Sequence, residues 1–185
     1  MDPTFFAESE QKNYVTFSTD FGRPEIRMRF DGDDDHILSN IILFQHIKEQ
    51  FDNALHRFEI NPAIIYDSFF LCSQLTYTYN IRHHVNVFIN ATSMLSPDIT
   101  KNSSVGEYLF ILVSCASLLH DVIRLDKNVE YLDKFLEKYD FKDDIKWIIK
   151  NICPQTIENC HNNKIVQFAR DIVYNADKNT NDHQN

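Results

Sequence analysis

Glu107-Tyr108-Leu109-Phe110-Ile111-Leu112-Val113-Ser114-Cys115-Ala116-Ser117-Leu118-Leu119-His120-Asp121 is the stretch on which the reading of this chain turns. From Tyr108 to Leu119 no residue is charged and apolar side chains lie nearly all round a helical wheel, so the segment predicts a central helix buried on most sides. Such a helix needs other helices around it. It ends in an imidazole and a carboxylate, and burying a carboxylate without a partner costs several kcal/mol. The His120-Asp121 pair is therefore expected to be ion-paired, capped or bound to metal.

Working outward, apolar residues recur at helical spacing from Ile37 to Phe58, through Ile41, Ile42, Phe44, Ile47, Phe51 and Leu55. Pro62 breaks that pattern before a helix through Tyr66 to Leu75. Further helices are predicted over His84 to Leu95, ended by Ser96-Pro97, then Gly106 to His120, Val129 to Tyr139, Phe141 to Ile152 before Pro154, and Asn162 to Lys178. Asn13 to Asp31 instead alternates apolar and polar residues on either side of Gly22-Arg23-Pro24, which predicts a β-hairpin. Asp31-Gly32-Asp33-Asp34-Asp35 reads as a solvated acidic turn and helix start, because it lacks the spaced ligands and terminal Glu of an EF-hand loop. The fold class is mainly α, a helical bundle with a small N-terminal β-hairpin. Residues 1–60 read as a hairpin and helix packed on the core, 61–178 as the helical domain and 179–185 as a polar tail.

Composition sets the outer limits. At 185 residues, 43% hydrophobic, with three glycines and five prolines, the chain suits one globular domain of helices rather than a sandwich of tight turns. A net charge of -9 disfavours an extended nucleic-acid interface, which needs Lys and Arg to neutralise phosphates. The N-terminus lacks the positive start and apolar stretch of a secretory signal. No unbroken apolar run reaches the roughly 18 residues of a transmembrane helix. A cytoplasmic protein with no membrane partner is expected. Cys72, Cys115, Cys153 and Cys160 are scattered, the first two in apolar stretches, as reduced thiols would be. Cys153 and Cys160-His161 lack the second closely spaced pair of a structural zinc site.

Two more places carry polar groups toward the predicted core. In Tyr79-Asn80-Ile81-Arg82-His83-His84-Val85-Asn86-Val87 two adjacent histidines open an apolar helix, and one must face inward. On a wheel His84 is central to the Phe88, Ala91, Leu95 stripe, while His83 sits at its edge beside Val87 and Met94. Asp177 lies on the shoulder of a stripe formed by Ile165, Phe168, Ala169, Ile172, Val173 and Ala176. An acidic group there also wants a cation.

A His opening a helix, an apolar helix ending Leu118-Leu119-His120-Asp121, and a later helix containing Ala176-Asp177 resemble, in that order, the HD superfamily of metal-dependent phosphohydrolases. The resemblance covers roughly Tyr77 to Lys178. Tyr79 through His83, followed by Asn86-Val87, is also similar to the Tyr-His-Asn-x-x-His motif and following Asn-Val of cyclic-nucleotide phosphodiesterases and some small bacterial HD hydrolases. That alignment selects His83 as a ligand where the wheel favours His84.

The resemblance implies an HD-like helical bundle in which His83, His120, Asp121 and Asp177 bind one divalent ion. Such a mixed nitrogen and oxygen set suits Mn, Fe, Co, Ni, Zn or Mg. It implies hydrolysis of a phosphoester in a small phosphorylated molecule such as a nucleotide. The alternative is a catalytically degenerate HD-like domain acting as a binding or regulatory module. Arg82, Arg124, Lys127 and Lys178 adjoin the ligands in sequence and are candidates for substrate phosphate. Tyr79 stands where the phosphodiesterase motif has its proton-donating His, and Asp126 is a candidate acid or water-orienting group. Ile148-Ile149-Lys150-Asn151-Ile152 offers none of the histidines of two-metal members, so a second ion is not expected.

Overall fold

Two short strands and seven α-helices follow one another in a computed structural model of the chain, which describes residues 14–17, 26–29, 34–60, 63–76, 78–101, 103–124 and 126–182. The chain divides into two compact units, Met1–His46 and Ile47–Asn185. In the first, β1 (Tyr14–Phe17) and β2 (Ile26–Arg29) pair antiparallel, with Tyr14 opposite Arg29 and Phe17 opposite Ile26. The turn expected at Gly22-Arg23-Pro24 and residues 31–33 of the acidic run lie outside the described residues. Helix α1 (Asp34–Leu55) contributes to both units. The second unit holds α2 (Ala63–Leu75), α3 (Thr78–Ser93), α4 (Ser104–Leu119), α5 (Asp126–Leu136), α6 (Lys142–Lys150) and α7 (Lys164–Asp182).

The apolar stretch read first is α4, and α2, α3, α6 and α7 pack around it. Phe110, Leu112, Val113, Cys115, Ala116, Leu118 and Leu119 are fully buried. Each Leu or Phe so placed contributes roughly 1.5–3 kcal/mol relative to exposure. Ser104–Arg124 is, by length and composition, long and apolar enough to cross a membrane, contrary to the expectation drawn from unbroken apolar runs. Within the fold 78% of its apolar window is buried, so packing against neighbouring helices accounts for its apolarity.

An aromatic cluster binds α1, α2 and α3. The Phe51 ring stacks on Phe69 with centroids 4.4 Å apart, meets Tyr66 edge-on at 5.4 Å and lies 5.1 Å from Phe88. The polar edge of this cluster is satisfied too: the Tyr66 hydroxyl and Lys48 ammonium donate to the two carboxylate oxygens of Asp52 at 2.7 and 2.6 Å.

Three departures from the sequence reading matter for the site. Helix α3 starts at Thr78 rather than after His83; Ile81 is fully buried, and burying it in the first turns extends the helix through polar residues. Helix α7 continues beyond Lys178 because Thr180 is buried, accepts from Asn90 Nδ2 at 2.8 Å and donates to the Ala176 carbonyl at 2.7 Å. Phe168, assigned to the buried stripe of α7, is 54% exposed and lines an open apolar hollow with Ile99, Val105, Leu109 and Ile165.

Ser103 caps α4 by accepting from the Gly106 N–H at 3.3 Å. At Gly106 the 3-10 turn Pro97–Thr100 approaches so closely that an added Cβ would collide with the Ile99 carbonyl oxygen. Gly106→Ala is expected to lower stability by about 1–3 kcal/mol in urea unfolding, since backbone must move to admit the methyl.

The four cysteines are free, Cys72 and Cys115 buried, Cys153 and Cys160 exposed. Burial pushes the Cys72 and Cys115 thiols up to about 12, whereas a hydrogen bond with Thr156 lowers that of Cys153. A disulfide-exchange reagent at pH 8 should therefore modify two thiols quickly and the other two only on unfolding. Four fast-reacting thiols would contradict the buried placement of Cys72 and Cys115.

Candidate metal centre

The end of α4 sets the centre. His120 keeps helical backbone angles (φ -56, ψ -36) as the C-cap, and its Nδ1 lies 2.7 Å from the Ser117 carbonyl oxygen. That carbonyl belongs to the last turn, where the helix leaves acceptors unused. Since a carbonyl only accepts, Nδ1 carries a proton, and whenever the ring is neutral its Nε2 lone pair faces the centre.

Helix α3 brings His83 alongside, with its Nε2 3.1 Å from His120 Nε2. Helix α7 brings Asp177, whose Oδ1 lies 3.2 Å from His83 Nε2 and 3.6 Å from His120 Nε2. Asp121 Oδ2 lies 3.6 Å from His120 Nε2 and 3.9 Å from His83 Nε2. Donor atoms held at about 2.0–2.2 Å by one ion stand about 3–3.6 Å apart in tetrahedral or octahedral geometry. The three spacings among His83, His120 and Asp177 fall in that range, whereas Asp121, beside both imidazoles, falls outside the group whose donor atoms all lie within 4.8 Å of one another. His83, His120 and Asp177, with donor atoms within 4.8 Å of one another, could hold a metal ion. They are the group of this kind found among the described residues; Cys153, Cys160 and His161 form none.

Of the two adjacent histidines, the structure brings His83 to the cluster. His84 is 2% exposed. Burial, then the neighbouring His120 and His83, hold its pKa well below the ordinary imidazole value, so it stays neutral. The wheel thus placed His84 rightly at the centre of the buried stripe, but the centre is not where a ligand to an accessible ion belongs. The edge position of His83 leaves its side chain 17% exposed, beside Asp121 at 19% and Asp177 at 18%. The centre opens to solvent on that side.

The cations proposed for substrate phosphate separate. Arg124 Nε donates to Asp121 Oδ1 at 2.8 Å, so this guanidinium is engaged by the Asp121 carboxylate rather than standing free. Arg82 and Lys178 are exposed; each sits one position along its helix from a ligand and is therefore turned about 100° from it. The side chains of Tyr79, Asp126 and Lys127 lie outside the described residues.

Charge within the cluster is self-consistent. Burial works against protonated His120, yet the hydrogen bond to Asp177 and the charges of Asp121 and Asp177 raise its pKa above the ordinary value. Burial likewise works against ionised Asp177, but hydrogen bonds and charge from His120 and His83 bring it well below the usual carboxylate range. Without an ion the sign follows from each group. Stability from Asp177 is present above its unfolded pKa and lost as pH falls through the depressed value; that from His120 is present below its unfolded pKa and lost as pH rises through the raised one.

No protein-family model, curated protein or solved structure matches the chain.

Two supporting groups were not foreseen from sequence. The Ser117 carbonyl could have been found as the acceptor three residues before a helix-terminal His. The Asn90–Thr180 bond, which ties α3 to α7, joins polar residues 90 positions apart and leaves no local pattern. An ion must displace the proton that the carboxylates favour on His120. Its apparent affinity should therefore fall by up to about tenfold per pH unit for each imidazole as pH drops below the imidazole pKa. Calorimetric titration with Mn2+ or Co2+ in buffers of different ionisation enthalpy should show proton release at pH 6; pH-independent uptake without proton release would contradict imidazole ligation.

Proposed function

We propose that the protein is an HD-type metal-dependent phosphohydrolase that cleaves a phosphoester of a small phosphorylated molecule such as a nucleotide. The observation that carries this reading is the grouping of His83, His120 and Asp177, from α3, the end of α4 and α7, with Asp121 beside the two imidazoles. His83, His120 and Asp177 would hold a divalent ion, which would supply Lewis acidity toward a phosphoryl oxygen and acidify water. The protein's own part is positional. The Ser117 carbonyl holds the His120 Nδ1 proton, the bond between Asn90 and Thr180 ties α3 to α7, and the open edge admits the phosphate group.

The two carboxylates offset the charge of a divalent ion, so a phosphate dianion must be drawn in by cations beyond the cluster. Arg82, Lys178 and Lys127 are the candidates, with Arg124 already shared with Asp121. Tyr79 and Asp126 remain the candidates for handling the leaving-group proton. Tyr79 is the poorer acid at neutral pH, because an ordinary phenol titrates near 10.

Stripped protein refilled with Mn2+ or Co2+ is expected to turn over a chromogenic phosphodiester or members of a nucleotide mixture. His120→Ala and Asp177→Ala are expected to lower kcat/KM by about a hundredfold or more, equivalent to about 2.7 kcal/mol. Stoichiometric uptake without turnover of any substrate would assign the chain to the binding or regulatory module instead. Absence of uptake after refilling would remove the metal centre itself.

A further inference from the structure

We propose that Arg124 is a positioning residue that limits Asp121 to one oxygen toward the metal centre, keeping one coordination position free for water or substrate. The inference rests on the metal-centre reading above. After Leu119 the backbone does not unwind: His120 remains helical, and Val122–Arg124 forms a 3-10 turn in which the Arg124 N–H donates to the Asp121 carbonyl at 3.1 Å. This turn carries the Arg124 side chain back to the carboxylate three residues earlier.

The result divides the Asp121 carboxylate between two neighbours. Oδ1 takes the Arg124 Nε–H at 2.8 Å, while Oδ2 is the oxygen near the two imidazole nitrogens, 3.6 and 3.9 Å away. A carboxylate that chelates an ion presents both oxygens to it. Here chelation would require giving up a charge-assisted hydrogen bond to guanidinium. With Oδ1 so held, Asp121 would reach an ion at this centre through Oδ2 alone, and the position that Oδ1 would fill would be left for water or substrate.

A purely structural role makes a different forecast. The Arg124 side chain is 72% exposed, and ion pairs so placed contribute little to stability because solvent screens them. Loss of the pair should then leave both fold and centre unchanged. If Arg124 positions Asp121, its loss changes the centre while the fold stays intact.

The number of exchangeable waters on bound Mn2+ separates the two, measured by water-proton relaxation of the full chain at saturating protein. In Arg124→Gln the relaxation enhancement per bound Mn2+ is expected to fall by the share of one coordinated water, as Oδ1 swings onto the ion. Arg124→Lys, which keeps a cation within reach of Oδ1, should recover most of it. The added oxygen should also tighten Mn2+ binding in Arg124→Gln at an unchanged melting temperature, and weaker binding with unchanged relaxation would count against positioning. Arg124→Met provides a second uncharged variant should the Gln variant fold poorly. Unchanged relaxation and affinity in the uncharged variants would overturn the inference while leaving the metal centre standing. Failure of the wild type to take up Mn2+ would overturn the centre, and this inference with it.

Discussion

Burial of α4 on nearly every side is the constraint from which the rest of the second unit follows. A helix with Phe110, Leu112, Val113, Leu118 and Leu119 fully buried cannot persist in water, so α2, α3, α6 and α7 are recruited around it. Its C-terminal end then becomes a place where freed backbone acceptors, an imidazole and a carboxylate must be satisfied together. The polar centre is thus the exit of the hydrophobic core, and the same packing that hides the apolar residues brings α3 and α7 close enough to complete it.

Much of this was legible in the sequence because it depends on local periodicity. Helices α1, α2, α4 and α7 stand within a few residues of the stretches whose apolar repeats predict them, although Ile42 of the α1 repeat is 58% exposed. The start of α3 was not legible, since Thr78, Asn80 and Arg82 give no apolar signal and the reason for helix there is burial of Ile81 against the core. Phe168 failed for the converse reason. Its apolar side chain fits the stripe of α7, but the surface it faces, near Ile99 and Val105, is an open hollow and leaves it half exposed. Periodicity states which side chains prefer to be covered, not whether a neighbour covers them.

The same distinction applies to the centre. His120 and Asp121 announced themselves by charge at the end of an apolar helix, and Asp177 by its place beside a buried stripe. His83 and His84 could not be separated by burial preference, because the buried histidine and the histidine grouped with His120 and Asp177 are different residues. His84 sits 4.7 Å from the His120 ring as a neutral packing element, while His83 takes the edge that faces both water and its partners. The Arg124–Asp121 pair was visible only as proximity in sequence; its meaning came from the 3-10 turn that reverses the side chain onto the carboxylate.

The bond between Asn90 and Thr180 spans 90 positions, and the candidate centre likewise draws on the third helix, the end of the fourth and the last. During synthesis, a chain that has emerged only as far as α6 already contains His83, His120 and Asp121 but lacks Asp177. Contacts of such sequence separation form late, after the loop entropy of the intervening chain has been overcome. An ion that required Asp177 would therefore favour the fully docked chain over every shorter folding intermediate, adding its binding free energy to the final step of assembly. Metal occupancy would then act as a checkpoint on completed folding, withheld from nascent or truncated chains.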